Sequence, residues 1–213
     1  MKRPIVHVNC AMSADGKIAG SDRAQVRISS PEDMDRVRRM REEHDAILVG
    51  IGTVLYDDPH LTVKGLSPEQ NPLRVVLDSR GRTPSGALVL DERAETVIVT
   101  SEDCDREWEG ADTIRAGRGR VDLALALEAL HERGVGTLMV EGGGEVIASF
   151  FANGLVDEYS VFVGSMIIGG RGAPTPADGD GREMGPNSRL RLIEACQLGD
   201  GVLLRYSARE NHL

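Results

Sequence analysis

The stretch TLMVEGGGEVIASFF, residues 137–151, decides the fold prediction for this chain. Residues 137–140 are a short apolar run with a β-branched residue at each end, which predicts a buried strand. Three glycines follow at 142–144, and apolar side chains then recur over 146–151 at the spacing of one helix face. The stretch therefore predicts a strand, a tight glycine turn and a helix.

The glycine turn is a candidate phosphate site. Glycines let a ligand come close to the backbone, and the first turn of a helix offers unpaired N–H groups that suit a phosphate. The alternative is a turn that only packs the helix against the strand. One glycine would serve such a turn, and three in a row cost backbone entropy, so we favour phosphate binding. The spacing is not G-x-G-x-x-G, so an ordinary dinucleotide site does not follow.

Strand and helix patterns alternate early in the chain, and strands dominate late. We expect Ser30 to cap a helix that begins at Pro31 and buries Met34, Val37 and Met40. A second amphipathic helix is predicted over 122–133. The predicted strands lie at 5–12, 46–49, 73–77, 87–90, 96–100, 137–140 and 157–168, with a hairpin at 190–198 and 202–206. The pattern predicts a mixed sheet flanked by helices, in one domain over residues 1–213.

Composition and charge exclude several kinds of partner. The net charge of −9 argues against nucleic acid or an anionic membrane, although a local arginine cluster could still bind a phosphorylated small molecule. Cys10, Cys104 and Cys196 are far apart and show no metal-binding spacing. We therefore expect reduced thiols, a cytoplasmic protein and no metal. No apolar run approaches the ~20 residues of a membrane span, and the N-terminus lacks a signal-peptide pattern.

Loops that follow predicted strands carry further candidate residues. DSRGR, residues 78–82, follows one strand and is either an anion site or a plain surface turn. The glycines at 50 and 52 follow another strand and suit a ligand loop. Beyond them, Asp57 and Asp58 precede a proline and suit a turn, but two adjacent acids alone do not predict a metal site. Residues 169–188 are rich in Gly, Pro and Asp and predict a functional lid or a dimer-contact loop.

Several motifs together carry a resemblance to a known family. They are AMSADGKIA (11–19), RISS (27–30), DAILVGIGTVLYDDPHLTV (45–63), RVVLDS (74–79), VEGGG (140–144) and GGRGAPT (169–175). On these motifs the chain resembles the pyrimidine reductases of riboflavin biosynthesis, both the stand-alone archaeal and fungal type and the reductase half of the bacterial deaminase–reductase. The block around DDP is the most specific. The resemblance implies an α/β, dihydrofolate-reductase-like fold, with a mixed, mainly parallel sheet, helices on both faces and a C-terminal hairpin.

The resemblance also implies an activity. NADPH would reduce the ribosyl side chain of 2,5-diamino-6-ribosylamino-4(3H)-pyrimidinone 5′-phosphate to ribityl, in a homodimer. The zinc deaminase signature H-x-E with P-C-x-x-C is missing from the sequence. In organisms with stand-alone reductases the reduction usually precedes deamination, so the resemblance favours the diamino compound over the alternative, 5-amino-6-ribosylaminouracil 5′-phosphate.

Motif matching assigns residues to the cofactor and to the substrate. The implied cofactor-binding residues are Ala11, Arg27, Thr53, Asp78, Ser79, Arg80, Gly81, Gly142, Gly143, Gly144 and Glu145. The implied substrate-binding residues are Arg41, Asp57, Leu61, Lys64 and Glu141. Arg41 and Lys64 would meet the substrate phosphate. We infer that Arg80 and Arg82 select the 2′-phosphate of NADPH through charge-assisted hydrogen bonds.

Two acids are candidates for the chemistry. Hydride transfer to an opened sugar works best on a protonated imine, and a carboxylate beside its nitrogen would stabilise that cation. Asp57 is the first candidate and Glu141 the second. The alternative role for Asp57 is a carboxylate that caps a helix or a turn.

Two other classes of function remain open. One is a dihydrofolate reductase or another NADPH reductase on the same scaffold. Against folate, the first helix has no lone acid on an apolar face, because Asp33 and Asp35 lie in a charged first turn. The other is a non-catalytic nucleotide-binding module, which would bind NADPH without turnover.

Overall fold

The structure is a computed structural model that describes residues 2–24, 26–179, 181, 185 and 188–208. These residues form two compact units. The first unit contains the residues up to Ile5 together with Arg39–Met139, and the second contains Val6–Arg38 and the residues from Val140 onwards. The single domain over residues 1–213 stays a prediction.

The strands and helices follow the alternation expected from the sequence. In chain order the strands are β1 (Ile5–Ser13), β2 (Ala46–Gly50), β3 (Leu73–Leu77), β4 (Thr96–Thr100), β5 (Asp112–Arg115), β6 (Thr137–Gly142), β7 (Glu158–Gly164), β8 (Arg191–Leu198) and β9 (Gly201–Ser207). The helices are α1 (Pro31–Glu43), α2 (Ile51–Asp57), α3 (Leu123–Glu132) and α4 (Gly144–Ala152). Short 3-10 turns lie at Pro68–Gln70 and Leu88–Leu90.

The first unit is built on a parallel sheet. Strands β2, β3, β4 and β5 pair in parallel, in the order β5-β4-β3-β2. Every residue of β2 and β4 is buried, as expected for a parallel sheet that is covered on both faces. The core includes Val76 of β3, Ile98 of β4, Val54 of α2 and the loop residue Leu61.

The second unit contains the antiparallel part of the fold. Its strand order is β6-β1-β7-β9-β8. Strands β1 and β7 pair in parallel, whereas β9 pairs antiparallel with β7 and with β8. This arrangement confirms the predicted C-terminal hairpin and the mixed, mainly parallel sheet.

Helix α1 begins where the sequence predicts, and Met40 is buried as expected, but the rest of its buried face differs from the prediction. The hydroxyl of Ser30 accepts a hydrogen bond from the N–H of Asp33 at 3.3 Å, which confirms the N-cap. Met34 is 50% exposed, so its predicted burial is wrong, and Asp33 is fully buried instead. Burial of this acid is tolerated because Arg36 pairs with it at 2.8 Å and the hydroxyl of Ser29 donates to it at 2.6 Å.

The face of α1 that carries the buried Asp33 is partly polar. Arg36 donates a second hydrogen bond, at 2.7 Å, to the side-chain oxygen of Asn9 on β1. The strand therefore offers a polar side chain to α1, and the inward face of the helix is partly polar. Asp33 is buried, but it is paired with Arg36 on a partly polar face, so α1 has no lone acid on an apolar face, as the sequence predicted.

Other differences concern short segments. Residues 51–57 form α2 rather than a loop, because Ile51 and Val54 lie one turn apart and are both buried. The predicted strand at 87–90 is a 3-10 turn, and β5 was not predicted because its sequence, DTIR, is half polar and partly exposed. The predicted strand at 157–168 ends at Gly164, where a Cβ would come within 2.8 Å of Ile28.

No helix in the described part of the chain is long and apolar enough to span a membrane.

Candidate active site

The DDP block forms a loop with unusual backbone geometry in the first unit. Helix α2 ends at Asp57, and Asp58 follows in the left-handed region at φ 39° and ψ 60°. Leu61 also has a positive φ, of 50°. Two such residues within four positions are uncommon for L-amino acids, because their Cβ atoms crowd the backbone. The surrounding structure must therefore hold this loop in place.

Asp57 lies at the start of this loop with a free carboxylate. The side chain is exposed, and no described residue forms a hydrogen bond or an ion pair with it. Partial desolvation raises the pKa of Asp57 above its ordinary value. A carboxylate without a partner in a partly desolvated position is suited to stabilising a ligand cation. The alternative role as a side-chain cap is absent from the described contacts.

The predicted substrate-binding residues Leu61 and Lys64 lie on one segment, and Arg41 of α1 contacts it. Arg41, in the last turn of α1, donates a hydrogen bond to the backbone oxygen of Thr62 at 3.3 Å. Lys64 is exposed two residues further on. Leu61 is only 3% exposed and belongs to the hydrophobic core. Any contact of Leu61 with substrate would therefore come from its backbone.

The loop after β3 is closed by a buried acid. The carboxylate of Asp78 accepts hydrogen bonds from the N–H and the hydroxyl of Thr83, at 2.6 and 2.8 Å. Its other oxygen has no partner among the described residues. A Cβ at Gly81 would lie 2.7 Å from the sulfur of Cys104, and φ there is 65°, so this position requires glycine. Asp78 and Gly81 thus shape the loop.

Two cations on this loop are free. Arg80 and Arg82 are both exposed, and no described residue pairs with either guanidinium. Ser79, between Asp78 and Arg80, uses its hydroxyl to accept a hydrogen bond from the N–H of Val121 at 3.0 Å. The loop therefore presents two unpaired positive charges on a backbone that is fixed by its neighbours.

The loop that holds Ser79 carries a cation that the sequence analysis missed. Arg118 pairs with Glu102 at 3.0 Å, whereas Arg120 is exposed and has no partner in the described chain. The hydrogen bond from Val121 to Ser79 joins this loop to the loop after β3. The run RGR at 118–120, following β5, was the available signal.

The glycine run of the second unit has the predicted form. Gly142 ends β6, Gly143 caps α4 with a φ of 81°, and α4 begins at Gly144. A Cβ at Gly144 would collide with the backbone oxygen of Thr175, and the N–H of Asp178 donates to the oxygen of Gly144 at 3.2 Å. Close packing explains the third glycine, as in the alternative interpretation, while the positive φ explains the second.

The loop that packs on Gly144 is held by the motif at 11–19. The carboxylate of Asp15 accepts hydrogen bonds from the N–H groups of Ile168 and Gly169, at 3.0 and 2.7 Å. Hydrogen bonds lower the pKa of Asp15 to about 2, and the hydrogen bond from the hydroxyl of Ser13 has the largest effect. The ammonium of Lys17 donates to the oxygen of Ala173 at 3.1 Å. Two separate motifs of the family thus meet in one substructure.

The function of this loop stays a prediction. Residues 169–179 pack on the backbone of their own unit, as described above. Positions 180, 182–184 and 186–187 of the predicted lid or dimer-contact loop lie outside the described residues.

The predicted site residues divide between the two units. The first unit contains Arg41, Thr53, Asp57, Leu61, Lys64, Asp78, Ser79, Arg80 and Gly81, and the second contains Ala11, Arg27, Glu141, Gly142, Gly143, Gly144 and Glu145. Thr53 is half-buried in the first turn of α2. Ala11 is half-buried on β1, and Glu141 is half-buried near the end of β6 and engaged by other residues. Arg27 is exposed, with its guanidinium 3.6 Å from the sulfur of Met34.

No group of three or more His, Cys, Asp or Glu side chains in the described chain could hold a metal ion.

The fold resembles that of dihydrofolate reductase. The chain is similar to dihydrofolate reductase from Enterococcus faecalis, whose structure contains NADP(H), with a TM-score of 0.56 over 95% of each chain. The sequence identity is 12%, so this likeness shows the fold alone. It confirms the predicted dihydrofolate-reductase-like fold.

Sequence comparison then identifies the family. The model of the RibD C-terminal domain matches residues 4–204, and the chain belongs to that family. The chain is 45% identical to the 2,5-diamino-6-ribosylamino-4(3H)-pyrimidinone 5′-phosphate reductase of Archaeoglobus fulgidus over 219 residues, covering 96% of this chain and 99% of that protein. It is also similar to the structure of a bifunctional deaminase and 5-amino-6-(5-phosphoribosylamino)uracil reductase from Thermotoga maritima. That likeness has a TM-score of 0.78 and 28% identity, and it covers 96% of this chain and 56% of that one.

Proposed function

We propose that the protein is an NADPH-dependent reductase of riboflavin biosynthesis. Its substrate is 2,5-diamino-6-ribosylamino-4(3H)-pyrimidinone 5′-phosphate, and its product carries a ribityl chain in place of the ribosyl group. One observation carries this proposal, namely the 45% identity to an archaeal reductase of that name along 99% of the relative's length. The structure adds that the DDP loop, the most specific motif, presents a free carboxylate at Asp57.

The proposed reaction needs a positive charge to be stabilised at the substrate. The ribosyl ring opens to an imine at C1′, and protonation of its nitrogen makes that carbon a better hydride acceptor. Bound NADPH would supply the hydride. Ionised Asp57 stabilises the protonated imine, and the charge disappears as the C–H bond forms and the imine becomes an amine. A fixed carboxylate in a partly desolvated position is effective here because it does not need to reorganise during the reaction. Glu141 is the second candidate for this role.

The free arginines of the first unit support NADPH as the cofactor. Arg80 and Arg82 have no partners among the described residues, so both guanidinium groups are available for the 2′-phosphate. Replacing both with alanine should weaken NADPH binding by about tenfold or more while leaving NADH binding nearly unchanged, since each charge-assisted hydrogen bond contributes about 1.5–3 kcal/mol before solvent screening. Titration of the variant with both cofactors measures this selectivity. Equal losses for both cofactors would place 2′-phosphate recognition elsewhere.

Arg41 and Lys64 are the proposed partners of the substrate phosphate. The hydrogen bond from Arg41 to Thr62 places its guanidinium beside the segment that carries Lys64. Two cations, one on α1 and one on this segment, match the charge of a phosphate monoester better than either does alone.

The order of reduction and deamination separates two candidate substrates. The archaeal relative is named for the diamino compound, whereas the Thermotoga maritima protein is named for the aminouracil. We favour the diamino compound because the relative named for it has the higher identity and matches this chain over nearly its whole length.

The test is the fall in NADPH absorbance when each pyrimidine is added to the purified protein. Rapid oxidation with the diamino compound, and slower oxidation with the aminouracil, is the expected result. Preference for the aminouracil would keep the family and reverse the order of steps. NADPH binding without oxidation by either compound would refute the proposal and favour a nucleotide-binding module.

We also propose a cytoplasmic homodimer. Strand β8 lies at one edge of the strand order, and Leu192 and Ile193 on it are 52% and 49% exposed. An exposed apolar edge strand favours association with a second chain, which covers it. Light scattering should give twice the mass of one chain, and a monomer mass at micromolar concentration would contradict the dimer.

A further inference from the structure

A buried arginine lies behind the DDP loop in the first unit. The side chain of Arg74, on β3, is completely buried. A buried guanidinium is stable only if a negative charge compensates it and its donors are all used. The guanidinium of Arg74 donates a hydrogen bond to the carboxylate of Asp91 at 2.8 Å. Its other acceptors are the hydroxyl of Thr96 and the backbone oxygens of His60, Leu88, Asp91 and Ala94.

Asp91 extends this network to the DDP loop. One of its oxygens binds Arg74, and the other lies 3.0 Å from Nδ1 of His60. Burial alone would raise the pKa of Asp91, but hydrogen bonds from Arg74, the backbone of Arg93 and His60 outweigh it and lower that pKa. Asp91 is therefore an ionised link between a buried cation and the loop.

A second contact fixes the first left-handed residue. The N–H of Leu88 donates a hydrogen bond to the carboxylate of Asp58 at 2.8 Å. The segment 88–91 thus holds the loop at Asp58 and at His60, and Arg74 in turn holds both ends of that segment. The positive φ angles at Asp58 and Leu61 are strained, and they persist only if the surrounding structure prevents the loop from relaxing. These hydrogen bonds provide that restraint.

We propose that Arg74, acting through Asp91 and His60, is a positioning residue that fixes the 57–61 loop and so sets the place of the Asp57 carboxylate. In this role none of the three residues needs to contact the reacting atoms. The inference rests on the proposed function, which gives Asp57 its role. It goes beyond that function because it makes turnover depend on the ion pair between Arg74 and Asp91 behind the loop.

His60 is the best position for a test, because its side chain is 36% exposed and its replacement should leave the fold intact. His60→Leu removes the contact with Asp91. His60→Asn is the matched control, since its side-chain amide can place an N–H close to the position of Nδ1. Val97→Ala is the stability control, because it creates a cavity in β4 and makes none of these hydrogen bonds.

The expected result is a selective loss of turnover. His60→Leu should lower kcat by about tenfold to hundredfold, because small misplacement of a catalytic group is costly, with NADPH affinity within about twofold of wild type. His60→Asn should recover most of the loss, and Val97→Ala should lower the melting temperature without lowering kcat. Unchanged kcat in His60→Leu, or equal losses in His60→Leu and His60→Asn, would overturn the inference.

A readout that needs no turnover separates this inference from the proposed function. Carbon-13 NMR of the Asp57 carboxyl should show its pKa moving in His60→Leu and returning in His60→Asn. If wild-type protein does not reduce either pyrimidine, the proposed function fails while the NMR comparison still tests the positioning. If wild type is active and the Asp57 pKa is the same in all variants, the positioning fails and the function stands.

Discussion

Two loops carry family motifs, and the protein holds them by opposite means. The 57–61 loop of the first unit has positive φ angles at Asp58 and Leu61, where L side chains are strained. The 169–179 loop of the second unit has its positive φ angles at Gly169, Gly170 and Gly179, where there is no strain. The first loop is fixed by an ion pair whose arginine is buried, and the second by single hydrogen bonds to backbone groups. The difference suggests that a loop with L residues at positive φ needs a charged anchor that reaches the core. A loop with glycines at those positions needs only single hydrogen bonds.

The most severe way to break this comparison is to remove the anchor of the first loop. Arg74→Met leaves the oxygens of Thr96, Leu88 and Ala94 without their donor, and because several buried acceptors lose their partner at once we expect a loss of about 3–5 kcal/mol in the free energy of unfolding. Lys17→Met is the counterpart in the second unit, and it removes one partly buried hydrogen bond to the backbone oxygen of Ala173, which costs about 1.5 kcal/mol. Urea unfolding of both variants measures the contrast. Similar losses in the two variants would remove the distinction between the loops.

A second test concerns what the two exposed acids do. Asp57 has no partner in the described chain, whereas Asp15 accepts three hydrogen bonds. Asp57→Asn should lower kcat by about 10²–10³ with little change in stability, as the loss of preorganised charge does elsewhere. The pKa of Asp57 is raised, so the acid limb of the kcat profile should lie above the pH expected of an ordinary aspartate. Turnover that survives the substitution would exclude Asp57 from the mechanism.

A third test uses the glycine that the second loop covers. Gly144→Ala places a methyl group against the oxygen of Thr175, and the loop must move to avoid it. We expect a loss of about 1–3 kcal/mol, typical of overpacking. Gly172→Ala is the matched control, because a Cβ there meets nothing within 4 Å and φ is not positive. Thermal melts of the two variants give the comparison, and equal melting temperatures would mean that the loop does not rest on Gly144.

The smallest effect is expected on folding stability when the pH is lowered. The pKa of Asp15 falls from an ordinary 3.8 to about 2 in the folded protein. Because the folded value is the lower one, ionised Asp15 stabilises the fold above pH 3.8, and that contribution fades as the pH drops towards 2. Asp15→Asn should therefore flatten this part of the stability–pH curve. A curve that is the same for wild type and variant would show that Asp15 does not fasten the second loop.

The sequence predicted elements whose residues share one environment. Strand β2 is a continuous apolar run, and β3 is apolar apart from Arg74; both were predicted correctly because a strand covered on two faces has a mainly apolar sequence. Strand β5 was missed because its edge position leaves polar residues in it. The burial of Asp33 could not be inferred, since the helix pattern does not reveal that β1 offers Asn9 beneath it.

The site was predictable only where it lies in one motif. The DDP block identified the 57–61 loop, and the glycines identified the turn before α4. The anchors of the first loop escaped notice because Arg74 is 14 residues from His60 and 17 from Asp91 in the chain. Pairings at such distances depend on how the strands lie beside each other, and one sequence does not show this.

The unpartnered arginines after β3 have an evolutionary consequence. Arg80 and Arg82 support no other part of the described chain, so their replacement removes no internal contact and places little burden on folding. Under the proposed function, these two positions carry the choice between phosphorylated and unphosphorylated nicotinamide cofactors. The catalytic loop and its core anchor can stay constant while cofactor preference drifts or is redesigned. Related proteins can therefore differ in the nicotinamide cofactor that they use without a change in folding stability.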